Sequence, residues 1–268
     1  MDDLEALLAR LREGQGLSIE EIARLGPASI PAVRELALSP DREVRRSALT
    51  TLNVLKAPAC DDVYLKAVRE AEIDLPYIAL QGLEAFLEPR HQPDLLGAYD
   101  AREEGVVRGA IARTIGTLEG RADFWGVKKR AEAETDEDAK EGLLLALARM
   151  GDGPSRAQIA ARIPAARWQE KRDFLERDLA YLKAPWILKP LLPLLDDEEI
   201  FYDAREMFHG PADGEIPAVF LQSERVCDRA AVWVAEISRR PFSFVPERMV
   251  HFTPAQLEEV RAYLRGLP

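Results

Sequence analysis

The chain of 268 residues carries 36 Lys and Arg against 47 Asp and Glu, a formal charge of −11 at neutral pH. With 47% hydrophobic side chains it has the material for a packed core, which excludes a disordered chain, and no apolar run reaches the roughly 18–20 residues that a membrane span requires. The acidic balance disfavours nucleic acid as a partner, because phosphate binding needs a surplus of cations.

Residues 1–25 predict two short helices. Leu4, Leu7, Leu8 and Leu11 recur at helical spacing up to Gly14 and Gly16, and Ser18-Ile19-Glu20-Glu21 is a capping box that opens a second helix through Leu25. The acidic amphipathic start lacks the basic opening of a signal peptide, so the cytoplasm is the expected location. Residues 26–55 then spell a helical hairpin. Ser29 is the expected cap of its first helix, and Pro31 sits in the first turn, where a missing N–H is harmless. Ile30, Val33, Leu36 and Ala37 make one apolar stripe. Ser39-Pro40 stops that helix, Asp41 caps the next, and Val44, Ala48, Leu49, Leu52 and Leu55 make the second stripe. Two stripes joined by so short a turn bury each other only in part, so the unit needs stacked neighbours.

At these residues the chain resembles a HEAT repeat, in the short bacterial form also seen in phycobilisome-lyase-like proteins. The resemblance lies in Leu25-Gly26-Pro27-Ala28, Ile30-Pro31-Ala32 and Asp41-x-x-Val44-Arg45-x-x-Ala48. It implies an all-α fold: an α-solenoid of stacked antiparallel helical hairpins in a right-handed superhelix. It also implies that Asp41 and Arg45, and with them Arg108 and Asp136 in later copies, hold neighbouring repeats together.

Sliding the 44–52 pattern forward, Ile78, Gly82, Leu83 and Phe86 match after 34 residues, with Ile78-Ala79 in place of Val-Arg. Val107-Arg108, Ile111, Ala112 and Ile115 follow after 29, and Ala139-Lys140, Leu143, Leu144 and Leu147 after 32 more, with Asp136 at the turn. The intervening first helices are expected at 62–71, 93–101 and 124–133. Beyond 151–154 the period fades. Helices are expected at 156–163, 168–182, 186–195, 198–208 and 225–238, the third bent or broken by Pro190 and Pro193, with a loop at 209–215. Thr253-Pro254-Ala255-Gln256 opens a final helix to Leu264, and Phe242 and Phe244 are expected to plug the open end. The expected division is one solenoid domain over 1–268: an N-terminal cap (1–25), regular repeats (26–153), degenerate repeats (154–238) and a C-terminal cap (239–268).

Candidate chemistry is sparse. His91, His209 and His251 show no metal-ligand spacing, and Gly105, Gly109, Gly116 and Gly120 fall at helical intervals rather than before a helix, where a phosphate loop would place them. The carboxylate runs 132–138 and 196–199 each precede an expected helix, whose dipole they offset. Trp125, Trp168, Trp186 and Trp233 are spaced as core residues of separate repeats. Cys60 and Cys227 lie far apart; a disulfide stays open, and isolated buried thiols are the preferred reading. No metal and no cofactor are expected.

The reading is a non-enzymatic protein–protein interaction module, a monomer that engages neither nucleic acid nor membrane. Residues 1–153 hold 20 basic and 29 acidic side chains, and 154–268 hold 16 and 18. The first part therefore suits a basic protein partner, although acid also serves solubility. The binding surface is expected on the second helices, opposite the buried stripe: Arg46, Thr50 and Asn53, with Glu84, Arg113 and Glu141 as their later equivalents. The alternative is an immunity or inhibitor protein that covers a basic toxin or enzyme. The resemblance also leaves open a bilin-lyase-like enzyme and a HEAT-like DNA glycosylase, the latter opposed by the acidic charge.

Overall fold

The computed structural model describes residues 2–57, 60–70, 72–202 and 223–268. It is 73% helical, with 15 α-helices among the described residues, so the fold is all-α. No helix among them is long and apolar enough to cross a membrane. The chain divides into two compact units, Met1–Gly151 and Asp152–Pro268.

In the first unit α1 (Asp2–Arg12) and α2 (Ile19–Leu25) precede four helix pairs: α3 (Ile30–Leu36) with α4 (Arg42–Leu55), α5 (Asp61–Val68) with α6 (Asp74–Glu84), α7 (Gln92–Ala101) with α8 (Gly105–Gly116), and α9 (Phe124–Ala133) with α10 (Glu137–Met150). Each second helix also packs on the next, α4 on α6, α6 on α8 and α8 on α10. Local chemistry sets the ends. Ser18 and Glu21 form the reciprocal capping box of α2, and Asp41 caps α4 by accepting from the N–H groups of Glu43 (2.8 Å) and Val44 (3.2 Å). Ser29 departs from expectation: its hydroxyl donates to Gly26 O (2.8 Å) and caps nothing.

Burial corrects the register of the second copy. Val44, Leu75, Val107 and Ala139 occupy the same buried place, followed by Ala48, Ala79, Ile111 and Leu143, then Leu52, Leu83, Ile115 and Leu147. The repeat is therefore 31, 32 and 32 residues, not 34, 29 and 32. Leu75 is the counterpart of Val44, and Pro76 stands where the other copies have Arg45, Arg108 and Lys140.

Glycine sets the tightest contact. A Cβ on Gly142 would lie 2.3 Å from Gly109 Cα, and one on Gly105 would lie 1.6 Å from Asp136 Oδ1. The backbones of α8 and α10 thus meet with no side chain between them, and Asp136, which caps α10 by accepting from Ala139 N–H (3.0 Å), also fills the space over Gly105.

Arginines link the reversals between paired helices. Arg45 donates from Nη1 to Ser39 O (3.0 Å) and Pro40 O (2.9 Å) in its own reversal, and from Nη2 to Glu72 (3.2 Å) in the next. Arg108 donates to Arg102 O (3.0 Å) and Glu103 O (2.7 Å), and grips Glu134 of the following reversal by two bonds of 3.0 and 2.9 Å. Where Pro76 removes the equivalent arginine, Arg102 reaches back to Glu70 O. Glu134 is the most committed carboxylate. Burial would raise its pKa, but bonds from Tyr99, Arg108 and the N–H groups of Asp136 and Thr135 hold it down at about 2.

The second unit is less regular. It contains α11 (Gly153–Arg162), α12 (Trp168–Asp173), α13 (Leu179–Leu182), α14 (Val226–Ser238) and α15 (Pro254–Arg265). A π-turn, Phe174–Asp178, joins α12 to α13, and Leu175 O accepts the indole N–H of buried Trp233 (2.6 Å). The proline-rich run forms 3₁₀ turns over Pro185–Ile187 and Lys189–Asp196, because its prolines withhold the donors an α-helix needs. The helix expected at 198–208 is absent at its start. Ile200–Tyr202 (β1) pairs antiparallel with Glu224–Arg225 (β2), and residues 203–208 and the expected loop 209–215 lie outside the described residues. Asp197 and Glu199 instead lie at the start of α14, where their carbonyls accept from Cys227 and Val226 N–H (both 2.9 Å), and their carboxylates bind Lys171 (2.6 and 3.2 Å). Thr253 and Gln256 cap α15, and Phe242 and Phe244 stack near Tyr263 and Phe252.

Two predictions follow from the first unit. Gly142→Ala forces apart backbones already in contact, and is expected to lower stability by about 1–3 kcal/mol in urea unfolding of the full chain; wild-type stability would show that α8 and α10 do not meet there. Because Glu134 is depressed from 4.5 to about 2, its contribution is complete above about pH 4.5 and is lost as pH falls towards 2. Glu134→Gln is therefore expected to be less stable at pH 7 by on the order of 2 kcal/mol, and to lose less stability than the wild type between those pH values.

Candidate functional site

The six surface residues singled out from the sequence do not form one row. By the corrected register Glu141 shares the place of Arg46, Arg113 that of Thr50, and Glu84 that of Asn53. Arg46 and Thr50 are exposed on α4; the Thr50 hydroxyl donates to Arg46 O (2.9 Å), and Arg46 lies 3.6 Å from both Glu43 and Asp74. Asn53 is half-buried and donates to Ile78 O (2.6 Å), while its Oδ1 lies 2.0 Å from where a Cβ on Gly82 would stand. It ties α4 to α6. Arg113 and Glu141 are half-buried and engaged with other groups. On α10 the places of Thr50 and Asn53 hold Leu145 and Ala148, both buried, so Glu141 is that helix's one contribution to the polar strip.

Glu84, exposed at the end of α6, opens onto a cleft. About 780 Å³ in volume, it is lined by Asp61, Glu84, Phe86, Glu88, Arg90 and Arg121, with Ala85 and Leu87. The cleft sits where the chain leaves α6, and Pro89–His91 forms a 3₁₀ turn on its wall. His91 is buried there. Its Nδ1 accepts from Glu88 N–H (3.1 Å), and its Nε2 lies 3.1 Å from Asp61 Oδ2 and 3.2 Å from Arg90 Nε. Arg90 binds Asp61 (3.2 Å) and Glu88 (2.9 Å). Burial would raise the Asp61 pKa, but the His91 bond and the Arg90 charge hold it below the ordinary range.

Glu84 is displaced the other way. The residue keeps contact with solvent, yet the protein crowded around its carboxyl raises its pKa, and the charges of Arg149 and Arg113 offset this only in part. A carboxylate in that position gains by meeting a cation. The cleft can therefore seat an ammonium or guanidinium group at Glu84 while Asp61 and Glu88 remain occupied by His91 and Arg90.

Asp61, Glu88, Arg90 and His91 were not anticipated. Asp61 and His91 stand 30 residues apart, one repeat away from each other, and contacts of that range leave no local pattern. Three tryptophans also depart from expectation: Trp125 is 73% exposed and Trp168 and Trp186 are half-buried, leaving Trp233 in the core. On α9 Val127 is the buried residue, so little of that helix faces inward. Cys60 and Cys227 are free and buried, with burial pushing both thiols up and Cys227 to about 11. Among the described residues no three His, Cys, Asp or Glu side chains converge as a metal centre would require.

No protein-family model, no curated protein and no solved structure matches the chain.

The electrostatics of the cleft can be read directly. In carbon-detected NMR the Glu84 carboxyl is expected to titrate above 4.5, and Arg149→Gln to move it further upward by removing an opposing charge. A midpoint at or below the ordinary glutamate value would remove the crowding on which the site depends.

Proposed function

We propose that the protein is a non-enzymatic protein-binding module of the HEAT type. The first unit is read as a right-handed α-solenoid with residues 1–25 as its cap, and the second as degenerate repeats closed by residues 239–268, the whole working as a cytoplasmic monomer. The observation that carries this reading is the regular layer of second helices, repeating every 31 or 32 residues, which borders an open polar cleft at Glu84. Repeated helix pairs of this kind offer extended surface at little cost in core design. The bonds of Arg45 and Arg108 to the following reversal, and the contact of Asp136 with Gly105, support the resemblance to HEAT repeats, in which such residues join neighbouring units.

A second reading, an immunity or inhibitor protein for a basic target, is favoured by the concentration of acid in residues 1–153. It differs from a general scaffold in the strength and salt dependence of its complex. Affinity capture from the native host at low and high salt separates them. A stoichiometric partner is expected from the wild-type protein and at least tenfold less of it from Glu84→Lys combined with Glu141→Lys. Release by high salt would favour the inhibitor; capture of nothing at either salt would sink the module reading.

A further inference from the structure

The charged side chains that line the cleft are not all in use. Asp61 is bound to His91 and Arg90 (3.1 and 3.2 Å), and Arg90 also binds Glu88 (2.9 Å), so three of the five charged lining residues satisfy one another. Glu84 and Arg121 stand outside that network. Both are exposed, both line the same space, and among the described residues neither side chain makes an ion pair or a hydrogen bond. Arg149 and Arg113 act on Glu84 through their charge without bonding to it. The lining is drawn from three successive links between helix pairs: Asp61 opens α5, residues 84–90 lead from α6 towards α7, and Arg121 precedes α9.

This lining restricts what an occupant can be. Three carboxylates against two arginines oppose a multiply charged anion such as phosphate, and a single free guanidinium could not meet one. No three His, Cys, Asp or Glu side chains converge among the described residues, so a metal ion would lack a ligand set. One free carboxylate and one free guanidinium instead match an occupant with one cation and one carboxylate. The volume of about 780 Å³ lies in the range of sites for drug-sized molecules, roughly 300–1,000 Å³. Buried Leu87 and half-buried Phe86 add apolar surface, against which the aliphatic stem of a Lys or Arg side chain can lie.

We propose that the cleft binds a peptide segment carrying both charges, with a Lys or Arg side chain on Glu84 and an Asp or Glu side chain on Arg121. The segment belongs to the protein partner of the module reading, on which this assignment rests. The probes are acetylated, amidated Lys-Ala-Glu, Lys-Ala-Ala-Glu and Lys-Ala-Ala-Ala-Glu, titrated into the isotope-labelled full chain and followed by NMR, since ion pairs at exposed groups bind weakly. At least one spacing is expected to shift the amide signals of residues 84–91 and 119–123 saturably and ahead of all others. Replacing its Lys or its Glu by Gln is expected to weaken binding at least threefold. Glu84→Gln is expected to bind the parent peptide and the one lacking Lys alike, and Arg121→Gln the parent and the one lacking Glu alike, which assigns each charge to its end of the cleft. Both variants are expected to melt at the wild-type temperature, because neither side chain holds another. Shifts spread over the surface, no saturation at any spacing, or no loss on removing the peptide's carboxylate would overturn the proposal. A host partner that Glu84→Gln combined with Arg121→Gln captures as well as the wild type would overturn this site and leave the module reading standing. Saturable peptide binding in the cleft with no host partner would support the site and count against the module reading.

Discussion

Arginine bound to backbone carbonyls is the constraint from which the first unit takes its regularity. Arg45 and Arg108 each satisfy two carbonyls of their own reversal and a carboxylate of the next, so a single side chain fixes both the local turn and the distance to its neighbour. Lysine could not substitute, because its ammonium lacks the planar fork that reaches three acceptors at once. With their side chains only 11% and 14% exposed, these cations stay inside because acceptors surround them. Pro76 breaks the series in α6, and the gap is closed from the opposite direction by Arg102. At the end of the row Lys140 turns to Glu137 of its own helix.

That substitution explains what could be read in the sequence and what could not. The caps at Ser18, Asp41, Asp136 and Thr253 were legible because an N-cap is decided within four residues. The copies at Val107 and Ala139 were legible because their apolar spacing follows an intact turn. The copy in α6 was misplaced by three residues because Pro76 stands where Arg45 and Arg108 do and Glu72 where Asp41 and Asp136 do, leaving a run from Leu75 to Leu83 in which more than one register fits. The second unit was harder for a related reason. Its proline-rich run and the pairing of Ile200–Tyr202 with Glu224–Arg225 depend on partners distant in the chain, and periodicity within one segment says nothing of them.

The candidate site was legible only in part. Glu84 was chosen as one member of a helix face, yet its significance comes from the cleft, which is assembled by a reversal, by Asp61 from the preceding repeat and by Arg121 from the following one. Tryptophan misled in the opposite sense, since its size suggests a core that α9 does not provide for Trp125. The net charge of −11 also overstates the acid on offer. Glu134, Glu72, Asp74 and Asp61 are already held by Arg108, Arg45, Arg42 and His91, so much of the first unit's acid is spent on its own stacking.

Two carboxyls in one cleft with pKa values displaced in opposite directions also occur in acid–base catalysis, where one donates and the other accepts a proton. The bonding of each decides the weight of that comparison here. Asp61 accepts from His91 and Arg90, its low pKa makes it a weak base, and both partners would have to move before it could reach a substrate. Glu84 is raised by desolvation rather than by a neighbouring carboxylate, and the charges of Arg149 and Arg113 oppose that shift. The two carboxyls therefore differ in kind: Asp61 is tied into the wall of the cleft by His91 and Arg90, whereas Glu84 stands exposed at its opening.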